Sequence, residues 1–307
     1  MSLPGGFSVG HATDHERWTG CTAILAPDGA VAAGEVRGGG PGTRESDLLS
    51  PAASATGVQA VLFAGGSAFG LTAADGVIRY LEEQGRGTRT PVGAVPLVAA
   101  AIVFDLALGD PAARPTPDDA HAACARASGD PARGSVGAGT GCTVGALLGP
   151  GGWTKGGLGL ASLRAGEATV AALAVVNAFG EVVDADGRVL AGVRRDGRFV
   201  RTVELLQEGV LPAWRTATTL ACVMTDAALT KTEAWLVSRA ATAGVARAVV
   251  PSATALDGDF TCCLAAGEAQ APPLVVSAVA ADAVAAAIRD AVVQASGAPG
   301  CPAASEL

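Results

Sequence analysis

Ala217-Thr218-Thr219-Leu220-Ala221-Cys222-Val223-Met224 sets two threonines at the head of an apolar run, late in a chain with no Gly-x-Ser-x-Gly elbow. A β-branched pair followed by Leu, Ala, Cys, Val and Met predicts a buried strand from Thr218 to about Thr225. The first hydroxyl has a second use. If the peptide bond before Thr218 is cut, that threonine becomes an N-terminus, and its α-amino group, with a pKa of about 8, can take the proton from its own hydroxyl. Nucleophile and base then share one residue. On this segment alone the plainer reading, a strand that starts with threonine because threonine suits strands, stays open.

Outward from that strand, helices and strands alternate with no linker between them. Val58–Phe63 predicts a buried strand leading through Gly65-Gly66 into a helix from about Ala68 to Glu83. Thr116-Pro117-Asp118-Asp119 supplies a cap, a proline at the first helical position and an acidic first turn for a short helix near His121. Val170–Val176 reads as another strand. Thr230-Lys231-Thr232-Glu233 is a capping box opening a helix that runs to about Ala248, and a last helix covers about Ala278 to Gln294. The Arg- and Gly-rich stretch between Asp184 and Trp214 predicts an exposed excursion, and the Gly, Pro, Ala and Ser tail 296–307 a disordered end. The pattern is that of one α/β domain spanning 1–307.

Composition narrows the class. Half of the 307 residues are hydrophobic, enough for a large core, but Gly, Pro or charge breaks every apolar run before the roughly 20 residues that span a bilayer. Met1-Ser2-Leu3-Pro4-Gly5-Gly6 shows no basic region followed by an apolar core, so a cytoplasmic protein is expected. Seven cysteines without CxxC spacing fit a reducing compartment, and adjacent Cys262-Cys263 in a strand must face opposite sides. A formal charge of -8 without basic clusters argues against a nucleic-acid surface. His11, His15 and His121 lack zinc-site spacing, and Gly65-Gly66-Ser67-Ala68-Phe69-Gly70 lacks the Gly-Lys-Ser/Thr ending of a phosphate loop. No metal, cofactor or membrane partner is expected. Cys142 and Cys222 read as small core residues.

Further strings recur in a fixed order: Val9-Gly10-His11-Ala12-Thr13-Asp14, Thr19-Gly20-Cys21-Thr22, Pro41-Gly42-Thr43-Arg44-Glu45, Gly65-Gly66-Ser67-Ala68-Phe69-Gly70-Leu71, Gly137-Ala138-Gly139-Thr140-Gly141, Lys155-Gly156-Gly157-Leu158-Gly159, Val176-Asn177-Ala178 and Asp257-Gly258-Asp259. Nearly end to end, this order resembles the DmpA-type L-aminopeptidase/D-esterase family, self-cleaving amidohydrolases that include β-aminopeptidases and nylon-oligomer hydrolases. The resemblance implies an αββα layered sandwich of the DmpA and ornithine acetyltransferase type. It further implies self-cleavage between Ala217 and Thr218, into an α fragment of residues 1–217 and a β fragment of 218–307, and a homo-oligomer, with a tetramer expected. The activity implied is release of N-terminal residues from small peptides or amides.

Within that resemblance Thr218 is the nucleophile, Asn177 the oxyanion donor, and Asp257 and Asp259 the carboxylates that orient the new ammonium and the hydroxyl. Two carboxylates at i and i+2 on an extended segment face the same side, so each raises the other's pKa while an ammonium beside them lowers both. Gly65, Gly66 and Ser67 are expected to line the substrate pocket with Phe104. Three positions depart from the family pattern: Ala217 stands where relatives carry Asn, Ala146 where they carry Lys, and Phe104 where many have Tyr. Lys155 is the nearest lysine to the lost cation but belongs to another string. Two alternatives therefore remain beside the hydrolase: an uncleaved homologue that binds a small amine or peptide, and an acyltransferase whose acyl-enzyme is intercepted by an amine.

Overall fold

The computed structural model describes residues 2–214 and 216–307; Met1, at the head of the stretch read for a leader, lies outside them. Ten strands build two five-stranded sheets. The first uses β1 (Ser8–Asp14), β2 (Thr19–Leu25), β4 (Thr43–Arg44), β5 (Ala60–Ala64) and β6 (Val98–Ile102) in the order β1-β2-β5-β6-β4. The second uses β3 (Val31–Val36), β7 (Gly157–Ala165), β8 (Ala168–Asn177), β9 (Thr218–Ala227) and β10 (Phe260–Ala269) in the order β7-β8-β9-β10-β3. Each sheet has one parallel pair, β5 with β6 and β9 with β10, set among antiparallel neighbours. Most of these strands are buried on both faces, which is why they read as continuous apolar runs instead of alternating ones.

Three apolar layers follow. Between the sheets pack Val61, Phe63 and Ala101 from one side and Leu160, Leu173, Leu220, Cys222 and Phe260 from the other. The Phe63 and Phe260 rings meet edge to face at 6.1 Å, a contact worth about 1 kcal/mol beyond its buried area. Helices α1 (Ala74–Glu83) and α2 (Pro117–Ala125) cover the outer face of the first sheet, and α3 (Lys231–Ala248) and α4 (Pro273–Val293) that of the second. The stack is helix, sheet, sheet, helix: the expected αββα sandwich. Cys262 points into the layer between the sheets and Cys263 into the helix layer, as strand neighbours must. All seven cysteines are buried free thiols. Among the described residues no helix is long and apolar enough to cross a membrane.

Three expectations change. The helix after Gly66 opens as a 3-10 segment, Ser67–Ala73, before α1. The segment 296–307, expected to be disordered, is packed: Cys301 and Ala303 are buried, and the Lys155 N–H donates to the Pro302 carbonyl at 2.8 Å. Small apolar side chains set among Gly and Pro suffice to seat it. The stretch from Asp184 to Trp214 is irregular but not wholly exposed, because Val193 and Leu205 are buried with Ala146, Phe179 and Ala217 in a fourth, smaller cluster.

Candidate active site

Thr218 is the first residue of β9, and its Cα pairs with that of Asn177, the last residue of β8. Residues directly opposed in an antiparallel pair project from the same face. On β8 and β9 that face also carries Leu173, Val175, Leu220 and Cys222, so Thr218 and Asn177 lie at the end of the layer between the sheets. Both are buried.

The Thr218 hydroxyl donates to the carbonyl oxygen of Ala217 at 2.6 Å. The same oxygen accepts the Gly258 N–H at 2.9 Å. This second contact arises because the Asp257–Asp259 segment extends the parallel pairing of β9 and β10 past the strand ends, with Ala217 bridged to Asp257. Glycine is needed there. A Cβ on residue 258 would stand 2.5 Å from the Gly40 carbonyl oxygen and 3.0 Å from the Thr218 Oγ.

The two aspartates flank that glycine without a hydrogen bond to the Thr218 hydroxyl. Asp259 accepts the Thr219 N–H at 2.7 Å and the Ala253 N–H at 3.0 Å, whereas Asp257 accepts the Thr254 N–H at 2.8 Å and its hydroxyl at 2.5 Å. Burial pushes the Asp259 carboxyl up to about 7, and the neighbouring Asp257 charge adds to the rise. Burial likewise raises Asp257. No ammonium among the described residues opposes either shift.

Asn177 is held from both sides. Its Oδ1 accepts the Thr143 N–H at 2.9 Å, and its Nδ2 donates to the Phe104 carbonyl at 3.1 Å. An amide nitrogen carries two hydrogens, so one remains for a developing oxyanion. Phe104 follows β6 of the first sheet, and the Asn177 amide therefore ties the two sheets together beside Thr218.

Next to Phe104, Asp105 is buried and accepts the Thr19 hydroxyl at 2.7 Å and the Gly66 N–H at 2.6 Å; burial pushes its carboxyl up to about 6. Gly65 and Gly66 serve this contact, since a Cβ on Gly65 would lie 2.0 Å from Asp105 Oδ2. Ser67 donates its N–H to the Val103 carbonyl at 3.0 Å. These three residues thus brace the Val103–Asp105 segment, and none lines the small cavity bounded by Phe104, Asp105, Thr143, Trp153 and Trp214. Lys155 is wholly buried and spends its three ammonium donors on the carbonyls of Gly139, Cys142 and Gly156 at 3.1, 3.0 and 2.9 Å. It organises the loop that presents the Thr143 N–H to Asn177. Desolvation lowers its pKa, opposed by Cys142, Cys301 and Asp105.

Sequence reasoning missed the Gly258 N–H, Asp105, Trp153 and Trp214. The first is a backbone group with no residue signature. Trp214 carried a signal in its place three residues before Ala217, in a chain with only four tryptophans.

The same fold recurs in solved structures, one of which is set within the N-terminal-nucleophile hydrolase fold. An L-aminopeptidase D-Ala-esterase/amidase from Ochrobactrum anthropi, described as a variant of that fold, superposes with a TM-score of 0.72 at 19% identity, over 96% of this chain and 88% of its own. A Burkholderia sp. β-aminopeptidase superposes with a TM-score of 0.70 at 22% identity, over 96% and 89%. The chain belongs to Peptidase family S58, whose model matches residues 5–303. Among curated relatives, an uncharacterized aminopeptidase of Mycobacterium tuberculosis is 42% identical over 289 residues, 88% of this chain and 82% of that protein. A 6-aminohexanoate-oligomer endohydrolase of Paenarthrobacter ureafaciens is 30% identical over 266 residues, 83% and 71%. The protein is accordingly a hydrolase of the peptidase and amidase kind.

Proposed function

We propose that the chain cuts itself between Ala217 and Thr218 and uses the freed threonine to hydrolyse small peptides or amides from their N-terminal end. The observation that carries this reading is the shared acceptor at the scissile bond: the Ala217 carbonyl oxygen takes both the Thr218 hydroxyl and the Gly258 N–H. Attack of Thr218 Oγ on the Ala217 carbonyl carbon puts negative charge on that oxygen, where the Gly258 N–H already points. Collapse breaks the Ala217–Thr218 C–N bond, the leaving nitrogen taking up the proton the hydroxyl gave up, and leaves Ala217 as an ester on the threonine. Water then releases the α fragment, and the exposed α-amino group becomes the base for the next attack. In turnover an acyl group occupies the place of Ala217. The remaining Asn177 N–H is available to the oxyanion, and Asp257 and Asp259 lie beside the new ammonium.

Ala217 and Ala146, two of the departures from the family pattern, share one apolar cluster with Phe179 and Leu205. Attack is on a backbone carbonyl, so an alanine side chain before the bond does not forbid it.

Intact mass of the freshly purified protein under denaturing conditions tests the reading. Fragments of 217 and 90 residues, about 21 and 9 kDa of the 30.0 kDa chain, are expected, the smaller beginning at Thr218. Thr218→Ala is expected to abolish both cleavage and amide hydrolysis. A single 30.0 kDa species that stays whole on long incubation favours the uncleaved binding protein instead.

A further inference from the structure

The segment ahead of the scissile bond turns back on the site it leads to. Trp214 packs edge to face on Phe104, with ring centres 5.8 Å apart, and on Trp153 at 5.7 Å. The Ala213 N–H donates to the Leu147 carbonyl at 2.9 Å and holds the segment down. With Trp214 in place, the space bounded by Phe104, Asp105, Thr143 and Trp153 measures about 10 Å³, no more than the room one water needs. Phe104 and Thr143 are the residues whose backbones the Asn177 amide joins, and Asn177 pairs with Thr218. The slot is therefore bounded by the two residues that hold Asn177, the strand partner of Thr218. A second observation points to a missing occupant: Trp153 is 3% exposed, and its indole N–H has no acceptor among the described residues. A buried donor left without an acceptor is costly, so a ligand that reaches it gains a bond the described residues leave unmade.

We infer that Trp214 is an internal occupant of the binding slot, which closes the intact chain to ligands, and that the opened slot takes a flat aromatic group on the acyl side of a substrate amide. Trp214 itself lies on the acyl side of the Ala217–Thr218 bond, so the group that replaces it comes from the same side. Cutting that bond leaves the Trp214 segment tethered at one end only, and the indole can then leave. The inference deepens the hydrolase reading and rests on its location of the active site at Thr218.

Binding to chains that cannot cut themselves tests it apart from turnover. Calorimetric titration with phenylalaninamide and alaninamide is run on Thr218→Ala, on Thr218→Ala with Trp214→Ala, and on Thr218→Ala with Trp214→Phe. The single variant and the Trp214→Phe variant are expected to show no saturable binding of either amide. The Trp214→Ala variant is expected to bind phenylalaninamide saturably and at least tenfold tighter than alaninamide. If Trp214→Ala does not melt cooperatively, Trp214→Leu takes its place. Equal binding of phenylalaninamide with and without the indole overturns the inference, as does no binding by a cooperatively melting variant that lacks it. A wild-type chain that never cuts itself overturns the hydrolase reading alone, because all three test proteins are uncut by design.

Discussion

At the proposed scissile bond the decisive residue is the one with no side chain. Gly258 brings its N–H to the Ala217 oxygen only because nothing stands between it and the Gly40 carbonyl. Gly258→Ala should push the segment away and slow self-cleavage by about 10² to 10³, the usual worth of one oxyanion donor, as read from fragment accumulation over time. Asp259 gives a prediction in pH. Its carboxyl is raised from 3.8 to about 7, so between those values the folded chain holds a proton that the unfolded chain has released. Stability must then fall as pH rises through that window. Urea melts in a Thr218→Ala background should show this slope, and adding Asp259→Asn should make it shallower whatever its offset, the raised Asp105 and Asp257 carrying the remainder. The meeting of Thr218, Asn177 and the Asp257–Asp259 segment was expected from a family spacing, and the strands bring them together. The Gly258 contact was not, since a backbone donor is defined by where the chain runs.

Elements were legible where a local signal marked their ends. The boxes at Thr116 and Thr230 are both formed, the second with the Thr230 hydroxyl accepting the Glu233 N–H at 3.3 Å and the Glu233 carboxylate accepting the Thr230 N–H at 2.8 Å. Thr230→Ala should therefore cost about 1 kcal/mol in a denaturant titration, with no change in the slope against denaturant. Strands buried on both faces gave weaker signals. β6, Val98-Ala99-Ala100-Ala101-Ile102, is short and alanine-rich, and its parallel pairing with β5 is set by tertiary packing. The 3-10 opening of the helix after Gly66 follows from Asp105 gripping the Gly66 N–H, a contact 39 residues away in sequence. The tail 296–307 is ordered by partners as distant as Lys155, which no local window contains.

For the whole molecule, the proposed cut falls inside a sheet. β9 begins at Thr218 and is flanked by β8 from the first fragment and β10 from its own. The layer between the sheets also draws on residues from both sides of the cut. The two fragments should consequently co-elute in native chromatography and separate only in denaturant. The layered architecture was legible through the family resemblance. Periodicity alone gave only interleaved helices and strands, because apolar runs of this kind do not say which face meets which layer. Six of the seven thiols are spread across those layers: Cys21 and Cys124 lie under α1 and α2, Cys142, Cys222 and Cys262 between the sheets, and Cys263 under α3 and α4. Burial pushes up the thiols of Cys21, Cys124, Cys142 and Cys263, so few are reactive thiolates while the protein is closed. Each of these six is thus a silent tag on its stratum, and the order in which a thiol reagent marks them during gentle heating would chart which stratum parts first.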